Sequence, residues 1–295
     1  MKAYLAPEGF EAELAHELGE VSERFGRLML AAGPPGDVAW AQNTWLDPRR
    51  IEIASIADAA RQLRDIQRNW VCHSWTEHRR AALIQERLPH VSAKAIEPYA
   101  ELPRAPLGSW TLLDRDTLLA SPSCSSPFPH GDVRFVEDRE GPPSRAYRKL
   151  WELFTLAGVR PAAGERVLDL GSAPGGWTWV LAQLGARVIS VDKTDLDPKL
   201  AAHPNVEVRQ ESAFGLDPSD VGPVDWLFSD VICYPSRLLA LVTKWRAAGV
   251  KRCVCTIKFQ GETDHEATAA FAAIEGSRLR HLSHNRHELT WTCDV

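Results

Sequence analysis

The stretch VLDLGSAPGGWT, residues 167–178, is where the chain offers chemistry most openly. An apolar run leads straight into Gly171, and Pro174, Gly175 and Gly176 follow before a helical pattern begins. Glycine permits a tight turn and lets a ligand approach the backbone. In an open parallel sheet, ligands sit at the carboxyl ends of the strands. Asp192, twenty-one residues beyond Gly171, ends the next strand-like run, RVISVD. An acidic side chain at that distance accepts the hydroxyls of a ribose, so the pair reads as a site for an adenosine-bearing ligand. The order Gly171-Ser172-Ala173-Pro174-Gly175-Gly176 is not G-x-G-x-x-G and lacks a Gly-Lys-Ser/Thr ending, which argues against a dinucleotide cradle and a P-loop. S-adenosylmethionine carries adenosine without phosphate, and a proline inside the turn takes nothing from its binding. The plain alternative is an ordinary strand-to-helix turn with incidental glycines.

Such a turn needs a sheet around it. Residues 166–170, 187–192, 205–210, 225–230 and 251–259 read as strands, and helical patterns run from the turn to about 185, over 236–248 and over 264–276. Stretches near 278–284 and 287–293 read as strands with no helix between them. This rhythm predicts an α/β, Rossmann-like, doubly wound and mostly parallel sheet, with an antiparallel pair at one end. The first half is less regular. A short strand and an amphipathic helix open it, with helical spacing from Glu11 to Leu18 and on to Phe25. Gly33-Pro34-Pro35-Gly36 breaks a loop-rich 31–49, residues 55–70 look helical, and prolines from Pro103 to Pro143 thin out regular structure. The expected junction lies near 130–145, giving a smaller α/β domain over 1–135 and a larger one over 136–295.

Bulk composition excludes several classes. With 44% apolar and 25% charged residues among 295, the chain can bury a core and is not disordered throughout. No run of about 18 apolar residues exists, so no spanning helix is expected. The acidic opening MKAYLAPEGFEAELAHEL does not read as a secretory signal. Net charge is −5; residues 1–143 hold 16 Lys/Arg against 21 Asp/Glu, and the remainder is balanced. A nucleic-acid partner would therefore have to use a local basic patch. The six cysteines form no C-x-x-C, so buried thiols in a reducing cytoplasm are expected, with no metal. The eleven tryptophans are expected mainly in packing.

The second half resembles the FtsJ-type RNA ribose 2′-O-methyltransferases. Ser144-Arg145-Ala146-Tyr147-Arg148-Lys149-Leu150 matches their S-R-A-x-x-K-L helix, Ser229-Asp230 ends the fourth strand, and Ile257-Lys258-Phe259-Gln260-Gly261 matches their lysine stretch. His287-Glu288-Leu289 opens the last strand. The resemblance implies a class I methyltransferase fold and a catalytic set of Lys149, Asp230, Lys258 and Glu288. It implies Lys258 as general base, Lys149 as positioner of the substrate, and Asp230 and Glu288 as orienting groups. Ser126-Pro127-Phe128, Gly131, Asp230-Val231 with Pro235, Lys244-Trp245 and the opening Pro7-Glu8-Gly9-Phe10-Glu11 resemble the branch acting on a cytidine ribose of bacterial large-subunit ribosomal RNA. That branch carries an RNA-docking front, which here implies a ferredoxin-like or reduced THUMP-like domain. Residues 20–120 match it poorly.

The cofactor residues implied are Ser144, Gly171, Ala173, Pro174, Gly175, Gly176, Trp177, Asp192, Ser212 and Asp230. Ser212 stands where the family usually has an aspartate facing adenine, and a hydroxyl is a weaker acceptor than a charge. Taken singly, Lys149 reads as a solvated helix charge, Asp230 as a helix N-cap and Glu288 as an edge-strand charge. Arg145, Arg148, Lys244, Arg246, Lys251 and Arg252 are candidates for RNA phosphate. The basic stretch Arg278, Arg280, His281, His284, Arg286 and His287 is the stronger one. The alternatives are a transfer RNA or another RNA as substrate, and a methyltransferase-like module that binds RNA without turnover.

Overall fold

Two four-stranded sheets, not one, are built by the first 136 residues. The computed structural model describes residues 1–295, in two units, Met1–Val136 and Glu137–Val295. The first sheet comprises β1 (Lys2–Leu5), β2 (Val21–Phe25), β3 (Leu28–Ala31) and β4 (Asn43–Trp45), with α1 (Glu11–Leu18) between β1 and β2. Its order is β2-β3-β1-β4, antiparallel throughout. This is a split β-α-β arrangement in which no helix joins β3 to β4. The helical pattern that continues to Phe25 in the sequence stops at Leu18. Gly19 turns the chain at φ +72, and residues 21–25 instead form a hairpin with β3, closed at Gly26, φ +62.

The second sheet has the order β5-β8-β7-β6, from β5 (Arg49–Glu52), β6 (Trp70–Cys72), β7 (Gly108–Leu112) and β8 (Thr117–Ser121). Helices α2 (Ile56–Ile66) and α3 (His78–Gln85) flank β6 in sequence, and α2 begins at Ser55, whose hydroxyl accepts from Asp58 N. Trp70, Trp110, Leu63, Leu112 and Leu118 form the core here. β7 and β8 lie inside the proline-punctuated region expected to lack structure. Both strands are buried almost throughout, so no polar alternation marks them in the sequence.

The second unit starts with α4 (Tyr147–Ala157), then β9 (Arg166–Leu170), α5 (Gly176–Gln183), β10 (Arg187–Val191), α6 (Pro198–Ala201), β11 (Val206–Arg209), α7 (Pro218–Val221) and β12 (Trp226–Ser229). It ends with α8 (Pro235–Ala247), β13 (Arg252–Lys258), α9 (His265–Ala272), β14 (Ser277–Arg280) and β15 (Glu288–Cys293). The seven strands order as β11-β10-β9-β12-β13-β15-β14. The first five are parallel, and β15 runs antiparallel to both β13 and β14. This is the doubly wound, mostly parallel sheet with an antiparallel pair at one end that the strand and helix rhythm predicts. Strand order reverses between β9 and β12, so the crevice outside their carboxyl ends is the switch point where such sheets bind ligands. Cys253, Cys255 and Cys293 are wholly buried, and all six cysteines are free thiols. No helix is long and apolar enough to cross a membrane.

Candidate active site

A cleft of about 350 Å³ opens at that switch point, lined by Ser144, Asp169, Gly171, Trp177, Asp192, Asp230 and Lys258 among others. β9 delivers Gly171 at φ +76, and a side chain there would collide with Val231 within 2.7 Å of its Cα. The glycine turn and the loop after β12 thus meet backbone to backbone. Gly176 opens α5 against Ser144, whose Oγ lies 2.3 Å from where a Cβ would stand. Trp177 Nε1 donates to Ala146 O at 3.1 Å, tying α5 to the segment that leads into α4. Asp192 Oδ2 accepts from Ala173 N at 3.1 Å and Oδ1 from Thr194 N at 2.9 Å. Asp192 itself lines the cleft, and its carboxylate has further capacity to accept hydrogen bonds.

Most of the residues expected to hold a cofactor therefore share this cleft. Gly175 and Ser212 are not among its lining. Gly175, at φ +118, caps α5 and packs where a side chain would meet Leu196 and Leu200. Ser212 begins the turn after β11, its carbonyl accepting from Gly215 N and Leu216 N.

The sequence reading passed over Asp169. It is the fully buried penultimate residue of β9, and it lines the cleft. Oδ2 accepts from Thr178 Oγ1 at 2.7 Å, while Oδ1 has no partner. Burial pushes its carboxyl up to about 7, and the charges of Asp230 and Asp192 add to the rise. A carboxyl inside an otherwise apolar strand was the available signal, because buried acids occur where something pairs with them.

The four charged residues converge next to this cleft. Asp230 follows β12 by one residue. Glu288 and Lys258 are direct cross-strand partners in the β13–β15 ladder. Lys149 reaches in from α4. Its Nζ lies 3.0 Å from Asp230 Oδ1 and 2.6 Å from Glu288 Oε1. Lys258 Nζ lies 3.1 Å from Asp230 Oδ1 and also donates to the Asp230 carbonyl. The ordinary single-residue readings fail here: Lys149 and Glu288 are each 7% exposed, and α8 is capped at Tyr234 rather than Asp230. β15 is moreover an interior strand.

Burial works against the Lys149 cation, but the Asp230 and Glu288 charges outweigh it and hold its pKa above the usual lysine value. Burial likewise raises the Asp230 carboxyl, yet the two lysines hold it below the usual range. Lys149 is therefore a fixed cation, and of the two lysines only Lys258 lines the cleft. Glu152, one turn beyond Lys149 on α4, is buried, and its carboxylate accepts from Ser283 N and Ser283 Oγ at 3.0 Å. It anchors the loop that delivers Glu288.

The basic candidates divide by strand direction. Lys251 and Arg252 stand at the start of β13, roughly 20 Å of strand from Lys258. Arg252 pairs with Glu165. Lys244 and Arg246 sit on the last turn of α8, which returns to that same far edge. Lys244 Nζ donates to Leu216 O, and Arg246 donates to Cys293 Sγ. Arg148 pairs with Glu137 at 2.6 Å, whereas Arg145 is exposed. On the last pair of strands, Arg278, Arg280 and Arg286 are exposed. His281 is buried with its pKa lowered by burial to about 4, and its Nε2 contacts Arg286 O, so it is structural.

Residues 142–269 match the family model described as FtsJ-like methyltransferase. Among curated proteins, the ribosomal RNA large subunit methyltransferase M of Methylococcus capsulatus is 36% identical over 185 residues, covering 57% of this chain and 52% of that protein. Its namesake in Aromatoleum aromaticum is 36% identical over 190 residues, covering 58% and 50%. The chain thus spans about half the length of the curated relatives it matches. Among solved structures, TrmN from Thermus thermophilus aligns over 99% of this chain and 98% of its own, at 14% identity and a TM-score of 0.38.

Proposed function

We propose that the FtsJ-like methyltransferase domain of this chain transfers a methyl group from S-adenosylmethionine to a ribose 2′-hydroxyl of RNA, with a cytidine of large-subunit ribosomal RNA as the substrate. One observation carries the chemistry: Lys149, Asp230, Lys258 and Glu288 are joined by contacts of 2.6–3.1 Å beside the glycine-turn cleft. The cleft suits the cofactor on its own terms. The free Oδ1 of Asp169 is an acceptor for the methionine ammonium, Asp192 one for the ribose hydroxyls, and Gly171 and Gly176 keep the turn bare. When bound, S-adenosylmethionine supplies a methyl group on a sulfonium, open to in-line displacement.

Lys258, as a neutral amine that has released its ammonium proton to solvent, then takes the proton of the 2′-hydroxyl, a contribution of about 10²–10⁴-fold. Asp230 holds the Lys258 amine through side chain and main chain together. Lys149 does not compete for the proton, because its carboxylate partners keep it cationic. Its work is positioning: it neutralises Asp230 and Glu288 and fixes where both stand. The relatives' activity on large-subunit ribosomal RNA, as their name gives it, supports ribosomal RNA, and the exposed Arg278, Arg280 and Arg286 supply a local basic surface. Such an enzyme works in the cytoplasm. A transfer RNA or other RNA is the second reading, favoured by the half-length match to those relatives.

The test is transfer of labelled methyl from S-adenosylmethionine to RNA of a strain lacking the gene, followed by digestion to nucleosides. Label in 2′-O-methylcytidine of large-subunit RNA supports the proposal. Label in another 2′-O-methylnucleoside overturns the substrate and leaves the chemistry. Label in no RNA overturns both.

A further inference from the structure

From Val231 to Pro235, the segment joining β12 to α8 alternates exposed side chains with half-buried or buried ones. Val231 packs against Gly171, and Cys233 and Pro235 are buried, whereas Ile232 is 76% and Tyr234 65% exposed. These are the two most exposed large apolar side chains of the second unit. The backbone beneath them is held: Tyr234 O accepts from Arg237 N at 3.0 Å and from Leu238 N at 3.2 Å. Ile232 lines the cleft, and both follow Asp230 within four residues. Large apolar groups exposed together beside a polar site mark a surface that something apolar covers.

We propose that Tyr234, supported by Ile232, is the stacking surface for the base of the nucleotide being methylated. The proposal rests on the RNA ribose reading above and extends it to how the substrate is held. A 2′-hydroxyl can meet Lys258 only if its nucleotide leaves the helical stack, and the base then loses its neighbours. RNA-binding proteins compensate by stacking unpaired bases on aromatic side chains. Tyr234 offers an exposed ring at a backbone position hydrogen-bonded into the start of α8, one short segment from Asp230. Stacking of this kind is tolerant of base identity, so Tyr234 contributes grip more than sequence choice.

The experiment compares Tyr234→Ala, Tyr234→Phe and Ile232→Ala with the wild-type chain on an RNA that the wild type methylates. KM for RNA, Kd for S-adenosylmethionine and the melting temperature are measured for each. Tyr234→Ala should raise KM for RNA roughly tenfold, with cofactor affinity and melting temperature unchanged, and Tyr234→Phe should restore it. The loss should be equal at low and high salt, because stacking releases no counterions. Wild-type KM in both alanine variants overturns the proposal and leaves the patch to a protein partner. A Tyr234→Phe variant as impaired as Tyr234→Ala also overturns it, since the hydroxyl and not the ring would then matter. Failure of the wild type to methylate any RNA overturns the underlying reading instead, so the two failures are distinct.

Discussion

Asp169 keeps one oxygen hydrogen-bonded in the core and the other free, at the edge of the cleft. Its folded pKa, about 7, lies above the ordinary 3.8. The sign follows from linkage: a raised folded pKa gives stability that is complete below the unfolded value and is lost as pH rises through the folded one. Melting temperatures of the cofactor-free protein should therefore fall between about pH 4 and pH 7, and Asp169→Asn should flatten that slope. Cofactor binding should run the other way. The methionine ammonium favours the carboxylate, so affinity should rise as pH passes through about 7, and calorimetry on Asp169→Asn should find no such rise. Lys149→Ala leaves two carboxylates near one another without their shared cation, and denaturant unfolding should register a loss of about 3–5 kcal/mol. Lys149 was legible in the sequence only through its motif. Its helix YRKLWELF looks amphipathic, and which face a sheet will cover cannot be read from the helix alone. Asp169 went unread because an apolar strand absorbed it into its pattern.

At the scale of elements, the site depends on strand ends and the loops that join them. β9 and β12 carry Gly171 and Asp230 to one edge by parallel pairing, with Leu170 opposite Ser229. β13 and β15 bring Lys258 and Glu288 there by antiparallel pairing. Glu152 fastens the β14–β15 loop to α4 through Ser283. Glu152→Ala should cost about 2–3 kcal/mol in unfolding and lower kcat without changing cofactor Kd, because the loop that delivers Glu288 loses its anchor. The strands and the longer helices of the second half were legible to within a few residues, whereas α6 and α7, each a single turn of four residues, were too short to leave a period in the sequence. Those of the first half were not. Glu11 to Phe25 kept helical spacing across Gly19, and β7 and β8 are buried without alternation among prolines. In both places tertiary packing overrode the local pattern.

For the whole molecule, the chain divides into two units of which the second holds the cleft, the charged set and the family match. The front unit, with its two sheets, carries the acidic excess of the sequence, so it is not the general electrostatic attractor for RNA. Methyl transfer should accordingly weaken with salt only modestly, in keeping with a few contacts from Arg278, Arg280 and Arg286, and a triple alanine variant should flatten the remaining slope. The glycine turn and the charged set were legible because they sit in one contiguous half with spaced motifs. The basic surface was less so, because a linear sequence does not orient its surface charges. Lys251 and Arg252 look basic in the sequence, yet they stand at the opposite end of β13 from Lys258.

As proposed above, Lys258 is the base of a methyl transfer to RNA. The measurement is single-turnover transfer by Lys258→Ala, made beside calorimetric titration with S-adenosylmethionine. The expected result is unchanged cofactor affinity with transfer slowed by at least about 10²-fold. Transfer at the wild-type rate with the cofactor bound would contradict it.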